Sequence, residues 1–482
     1  PESVYYKNET ELTTAVNGAY AILQGVQLVD REYFFLHDLR SDEMSRGTGG
    51  GLEIPRGEVL DGTLNATNYV MNQVWSGCYQ LIHRVNAIIE KGAEVEHSDI
   101  RDMRLGEARF LRAFAYFELV SMWGEVPLYT EVNRFLDDTQ PRTSEDEIYA
   151  AIIADLNQAQ MDLPYIKDIG DSDLGRASKE AAQTLLGRVY MFMNDYAKAK
   201  TELDKVISSP SNLRLVDDFF SNFTEEGEFN DESIFEVGFS EIGDNNWDNN
   251  GANGLGNERS VHSQEYSAVG WRNIIPSEKL LDEYERSSKG DTKEDPRLHM
   301  SFLFVGDPIN NGTETLKDSD VSGLTSTFDG EEIKISWRKY SILYKEGPNG
   351  YRNTGINMRL MRFAEVVLML AECENELDNP IEAINYLNMI RERPGVNMPP
   401  YPTVNYPVGN KTEILRAIQH EKMVELSGEQ IRNRDILRWR KQGKLPSEPI
   451  SYFQARHALL PIPQTEIDNS DKLTNADQNS GY

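Results

Sequence analysis

The chain has 482 residues, with 79 acidic against 49 basic side chains and a formal net charge of −30. Hydrophobic residues make up 39% and charged residues 27%, the balance of a folded chain and not of a disordered one. A field this negative repels polyanions, which argues against nucleic acid and, less directly, against a strongly anionic polysaccharide.

The longest apolar runs, such as residues 366–371, are far too short to span a bilayer. The two cysteines, Cys78 and Cys373, sit in apolar helical contexts and read as buried thiols. No CxxC or Cys/His spacing supports zinc. The chain starts at Pro1 without a basic n-region or an apolar h-region, which reads either as a cytosolic protein with a trimmed start or as one whose targeting segment has been removed.

The first half reads as helix after helix. Residues 12–23 open it. Residues 74–89 follow, with Trp75, Cys78, Tyr79, Ile82, Val85 and Ile89 near helical spacing. Residues 104–123 are apolar almost all round, which predicts a helix buried among others, ended by Gly124 and Pro127. Ser144-Glu145-Asp146-Glu147 is a capping-box signature, and Ile148, Ile152, Leu156, Ala159 and Leu163 mark one helical face.

Leu186-Gly187 and Tyr190, then Ala199, Leu203, Val206 and Pro210, resemble a tetratricopeptide repeat. Small residues let two antiparallel helices approach, and large ones fill the seam. The pattern recurs at the same spacing in Leu370-Ala371, Ala383, Leu387, Ile390 and Pro394.

Between residues 217 and 359 the helical period fades. Gly, Asn and Asp accumulate, as in Gly243-Asp244-Asn245-Asn246, and aromatics are scattered among them: Trp247, Tyr266, Trp271, Trp337, Tyr340, Tyr344 and Tyr351. Short alternating runs at 233–237 and 332–336 predict a few strands. The reading is mainly α. One unit comprises a helical arm (1–216), a large irregular loop-rich insertion (217–359) and C-terminal helices (360–482). Loops on a rigid scaffold are where binding function tends to sit.

The C-terminal third carries a resemblance. Met361-Arg362-Phe363-Ala364-Glu365, Leu370-Ala371-Glu372, Ile390-Arg391, Glu421, Glu425, Glu429, Arg432, Asp435, Arg438-Trp439, Leu460-Pro461-Ile462 and Gly481-Tyr482 run in the order of the SusD (RagB/SusD) family. Arg40-Ser41-Asp42-Glu43, Glu107-Ala108-Arg109-Phe110-Leu111-Arg112 and Asp295-Pro296-Arg297 have counterparts there too. Lys422, Gln430 and Ser480 depart from the family pattern. Arg109, Glu365, Arg432, Asp435, Arg438 and Trp439 read as structural, since buried charges need partners.

The resemblance implies a cell-surface protein, anchored to the outer membrane through a lipid-bearing N-terminus absent from this chain. It implies a protein that captures oligosaccharide or polysaccharide and passes it to a SusC-like TonB-dependent transporter. Peptide cargo is the alternative, and an all-helical glycoside hydrolase a remote one. Chemistry gives no support to an enzyme. HExxH, GxSxG and a P-loop are missing, and the seven histidines show no pair at metal-ligand spacing. No cofactor is called for. Asp244, Asn246, Asp248 and Asn250 alternate oxygen side chains as ion loops do. Asn249 and Leu255, however, occupy the positions where an EF-hand needs Gly and Glu, so the segment reads as a solvated polar loop.

A glycan site needs flat rings for the C–H faces of sugars and amides or charges for the hydroxyls. The candidates are Trp247, Tyr266, Trp271, Trp337 and Tyr69, with Asn246, Arg272 and Asp42 beside them. Trp247 stands out because its neighbours are polar or glycine, whereas Trp75, Trp123 and Trp439 lie on apolar helices.

Overall fold

A side chain that accepts a backbone N–H begins each long helix of the first half: Asn8, Asn68, Ser98, Ser144, Ser178 and Asp195. The helices they start are α1 (Glu9–Leu23), α4 (Tyr69–Gly92), α5 (Asp99–Trp123), α6 (Glu145–Asp162), α7 (Lys179–Phe192) and α8 (Tyr196–Ile207), with the short α2 (Glu32–Asp38) and α3 (Ile54–Leu60) between α1 and α4. After them come α9 (His262–Tyr266), α10 (Glu278–Glu283), α11 (Arg297–Ser301), α12 (Phe363–Glu376), α13 (Pro380–Arg391), α14 (Lys411–Leu426), α15 (Arg432–Lys441) and α16 (Gln464–Asn469). This computed structural model describes residues 6–47, 52–132, 139–243, 245–348 and 353–482. Asp244 and Tyr351 lie outside the described residues. No helix among them is long and apolar enough to cross a membrane.

The all-round apolar character of α5 has its reason in its neighbours. The helix packs against α1, α4, α6 and α7, and every residue from Phe110 to Trp123 is buried. Gly124, at φ +74°, ends the helix. At α6 the Ser144 hydroxyl donates to the Glu147 carboxylate at 2.7 Å and accepts the Glu147 N–H. The expected box is therefore closed through the hydroxyl.

The two repeat-like hairpins are α7–α8 and α12–α13, and α8 also packs against α12. Both turn through a residue in the left-handed region at the same repeat position, Asn194 at φ 60° and Asp378 at φ 62°. A Cβ on Gly187 would come within 2.6 Å of Leu203, so the glycine sets how closely α8 approaches α7.

The strands form antiparallel two-stranded ribbons. Ser233–Val237 pairs with Met358–Arg362, closing the irregular region at the start of α12. The run at 332–336 is divided. Glu331–Ile333 pairs with Ser326–Phe328, and Ile335–Trp337 pairs with Phe302–Phe304.

A buried ionic network joins this region to the C-terminal helices. Arg297 meets Asp295, Glu421 and Glu425 at 2.7, 2.9 and 3.1 Å. Arg362 meets Glu232, Glu425 and Glu429 at 2.6–2.8 Å. Arg391 bridges Glu285 and Glu421, and Lys339 reaches Glu429. The residues read as structural are so: Arg109 pairs with Asp162, Glu365 with Arg188, and Arg438 with Glu372 and Asp435, while the Trp439 indole N–H donates to Glu372. Cys78 and Cys373 are buried free thiols.

Candidate functional site

The loop that carries Trp247 is fastened to the N-terminal helices by its backbone. The Val26 N–H donates to Asn249 O at 3.0 Å, Gln80 Nε2 to Asn250 O at 3.2 Å and Arg84 to Ala252 O at 2.7 Å. Gly251 adopts φ +70°, and a Cβ there would collide with Ala21 O, so only glycine permits this approach. Below the loop, buried Asp30 accepts from Asn245 and Asn257 Nδ2, both at 2.8 Å, and from the Val261 N–H at 3.1 Å. Burial pushes its carboxyl up to about 6, against the pull of those donors.

Held this way, Trp247 lies beside Trp271, with ring centroids 5.3 Å apart and planes inclined by 31°. Trp247 is 38% exposed. The Arg31 guanidinium sits 4.9 Å from the Trp247 centroid and 5.9 Å from that of Trp271, and is fixed by a 2.6 Å ion pair with buried Glu265. Tyr69, at the first turn of α4, is 47% exposed. Partial burial raises its hydroxyl, and Glu32 and Asp248 raise it further, while Arg56 and Arg31 oppose them. Tyr69 thus shares its surroundings with the tryptophan pair. Ile54, 78% exposed, stands at the start of α3, which Asn68 ties to α4 through Pro55 O at 2.8 Å.

Acidic groups outnumber basic ones here: Glu32, Glu53, Glu265 and Asp248 against Arg31 and Arg56. Asn246 stands beside Trp247 in the loop. Its Oδ1 accepts the Asp248 N–H, and Asn250 Oδ1 accepts the Ala252 N–H, so these oxygens cap turns of the polar loop.

Four sequence candidates are placed elsewhere. Tyr266 is enclosed by Phe34, Phe35 and His262, and its hydroxyl donates to Asp38 at 3.0 Å. Trp337 packs against Phe302 and Tyr266 at 1% exposure, so neither ring has a free face. Arg272 is spent on Ser336 Oγ and the carbonyls of Gly47, Ser322, Leu324 and Ile335. Asp42 is held by Arg432 at 2.7 Å and Lys279 at 2.5 Å; burial alone would raise its carboxyl, and these cations bring it down to about 2. All four belong to the scaffold. The sequence reading missed Arg31, Glu265 and Arg56, which carry no motif and become neighbours of the rings only through folding.

One grouping of metal-ligand type exists among the described residues: Glu285, His420 and Glu421, with ligand atoms within 4.8 Å of one another. Arg391 Nη1 lies 2.7 Å from Glu285 and 2.6 Å from Glu421, so a guanidinium already stands where a cation would.

Residues 231–455 match the family model described as the SusD family, and residues 57–191 match one described as starch-binding associating with outer membrane. The chain belongs to the SusD family. A SusD-like protein of Formosa agariphila, P2, is 28% identical over 100% of this chain and 94% of its own length. A SusD superfamily structure from Bacteroides vulgatus superposes with a TM-score of 0.81 at 22% identity, covering 99% of this chain and 100% of that one. A laminarin-binding SusD-like protein superposes at 0.76 with 26% identity, covering 99% and 100%. The SusD fold is therefore spread over the whole chain. Trp247 and Trp271 lie within the first of these matched segments and Tyr69 within the second, whereas Arg31 precedes both.

Proposed function

We propose that this protein captures oligo- or polysaccharide on the surface formed by Trp247, Trp271 and Tyr69, with Asn246 at its edge. The partly exposed, inclined tryptophan pair is the observation that carries this reading. Two flat rings offer apolar faces to the C–H faces of successive sugar units, and nothing in such capture requires an activated nucleophile or an acid–base pair. The laminarin-binding relative, at 26% identity, supports carbohydrate as the ligand class.

The excess of carboxylates around the rings, within a chain of net charge −30, favours a neutral glycan over a polyanion. The cargo then passes to a SusC-like TonB-dependent transporter, from a protein held at the outer face of the outer membrane by an N-terminal lipid. Binding alone, without turnover, is the role.

Affinity electrophoresis against neutral and anionic polysaccharides, followed by calorimetry, tests this. Retardation by a neutral glycan that is lost in Trp247→Ala and Trp271→Ala is expected, with no product released. Equal affinity in both variants would overturn the site. Binding of peptides and of no glycan would overturn the ligand class.

A further inference from the structure

Arg40 follows α2 and is 8% exposed. Its Nη2 donates to His457 O at 3.1 Å, and its Nη1 is buried without an acceptor. The charged or titratable groups acting on it are Tyr452, Tyr482 and Arg440, none of them a carboxylate. Its fellow buried arginines are different: Arg297, Arg362 and Arg391 each meet two or three carboxylates.

A small pocket opens beside Arg40, lined among others by Arg440, His457, Tyr452, Phe453 and Tyr482. Among the described residues no aspartate or glutamate lines it, in a chain with 79 of them. Arg440 is bonded to Glu448 at 2.6 Å but still adds its charge to the pocket's field. His457 Nδ1 accepts the Gln454 N–H at 2.9 Å, which puts the ring proton on Nε2; burial and Arg456 lower the ring's basicity, and hydrogen bonding to the backbone at Gly62 and Tyr452 raises it. The cavity volume is about 20 Å³, just above the roughly 10–15 Å³ that a single water needs. A buried charge without counter-charge and with an unpaired Nη1 calls for an occupant.

We propose that this pocket binds a small monovalent anion of halide size, with Arg40 as its principal ligand. The bound anion neutralises Arg40 and fastens the segment bearing Tyr452 and His457 to the end of α2 and to α15. It is separate from the ring surface, so glycan capture and anion binding succeed or fail independently.

The test uses the whole chain, prepared free of halide. Crystals soaked in sodium bromide should show an anomalous peak within hydrogen-bond distance of Arg40 Nη1. Bromide or chloride should raise Tm over gluconate at matched ionic strength, by on the order of 1 °C or more, in the wild type and not in Arg40→Met. If Arg40→Met does not fold, the wild-type series stands by itself, with Arg40→Lys expected to bind more weakly. A water in place of bromide, a Tm indifferent to halide, or a peak that persists in Arg40→Met (an adventitious ion only) would each overturn the proposal.

Discussion

Asp30 and Asn257 meet at 2.8 Å in the interior, one just before α2 and the other at the far end of the Trp247 loop. The same Asp30 carboxylate takes Asn245 and the Val261 N–H, so a single side chain closes both ends of the loop. Asp30→Ala strands these donors. Leaving a buried donor unsatisfied costs about 1–3 kcal/mol, and the loss falls on the loop that presents Trp247. The variant is expected to fold with reduced stability and to bind glycan about tenfold more weakly, equivalent to about 1.4 kcal/mol. Calorimetry beside near-ultraviolet circular dichroism of the tryptophans checks it. Unchanged affinity would mean that the loop is held without Asp30.

Asp38 gives a pH prediction with a definite sign. It is buried, accepts from Tyr266 and Gln430 through one oxygen, and is pushed up to about 7 by burial. Below its ordinary value near 3.8 it is protonated whether folded or not, and its contribution is intact. As pH rises toward 7 the unfolded chain releases a proton that the folded chain retains, so stability falls, by about 1.4 kcal/mol per pH unit. His37 and His262, brought down by burial to about 4 and about 3, act oppositely, losing their contribution as pH falls below 6.5. Asp38→Asn keeps the accepting oxygen and removes the titration. Relative to wild type it should gain about 4 kcal/mol between about pH 4 and about pH 8, measured by urea unfolding across that range. A difference independent of pH would show that Asp38 does not titrate there.

The helices were legible because their signals are local. Ser144 announced α6, and the equal spacing of the two hairpins matched equal turns at Asn194 and Asp378. The ring surface was legible only in part. The polar setting of Trp247 marked it as exposed, and it is so in part, but the ring and guanidinium it lies against, Trp271 and Arg31, come from other segments. Trp337 sat in an equally irregular stretch, yet its burial comes from Phe302 and Tyr266, which a sequence window does not contain. Arg272 looked like an edge donor to sugar and instead spends its donors on carbonyls from three distant segments. Tertiary contact, not local pattern, decided these cases.

That contrast is measurable. Trp247→Ala removes an exposed face of the ring pair and should weaken glycan binding about tenfold with little change in Tm. Trp337→Ala empties an enclosed site and should cost about 3–5 kcal/mol. Where it folds, its glycan affinity should stay near wild type. Paired thermal melts and binding isotherms separate the two roles, and an exchange of phenotypes would reverse the assignment.

The ionic network offers the sharpest test of what holds the insertion to the C-terminal helices. Glu425 accepts from Arg297 at 3.1 Å, Arg362 at 2.8 Å and Arg393 at 2.7 Å, all buried. Burial would raise its carboxyl, but the three guanidinium groups hold it well below the ordinary range. Its contribution is therefore complete above the unfolded value near 4.5 and is lost as pH falls through the folded one. Glu425→Gln preserves shape but leaves the arginines short of one charge, and breaking a buried pair in this way costs about 3–5 kcal/mol. The deficit should be full at about pH 7 and shrink in strong acid, where wild type also protonates. Unfolding curves at neutral pH and at the lowest pH where both proteins fold decide it. A deficit that stays constant would assign Glu425 a packing role, with its charge playing no part in joining Arg297 to Arg362.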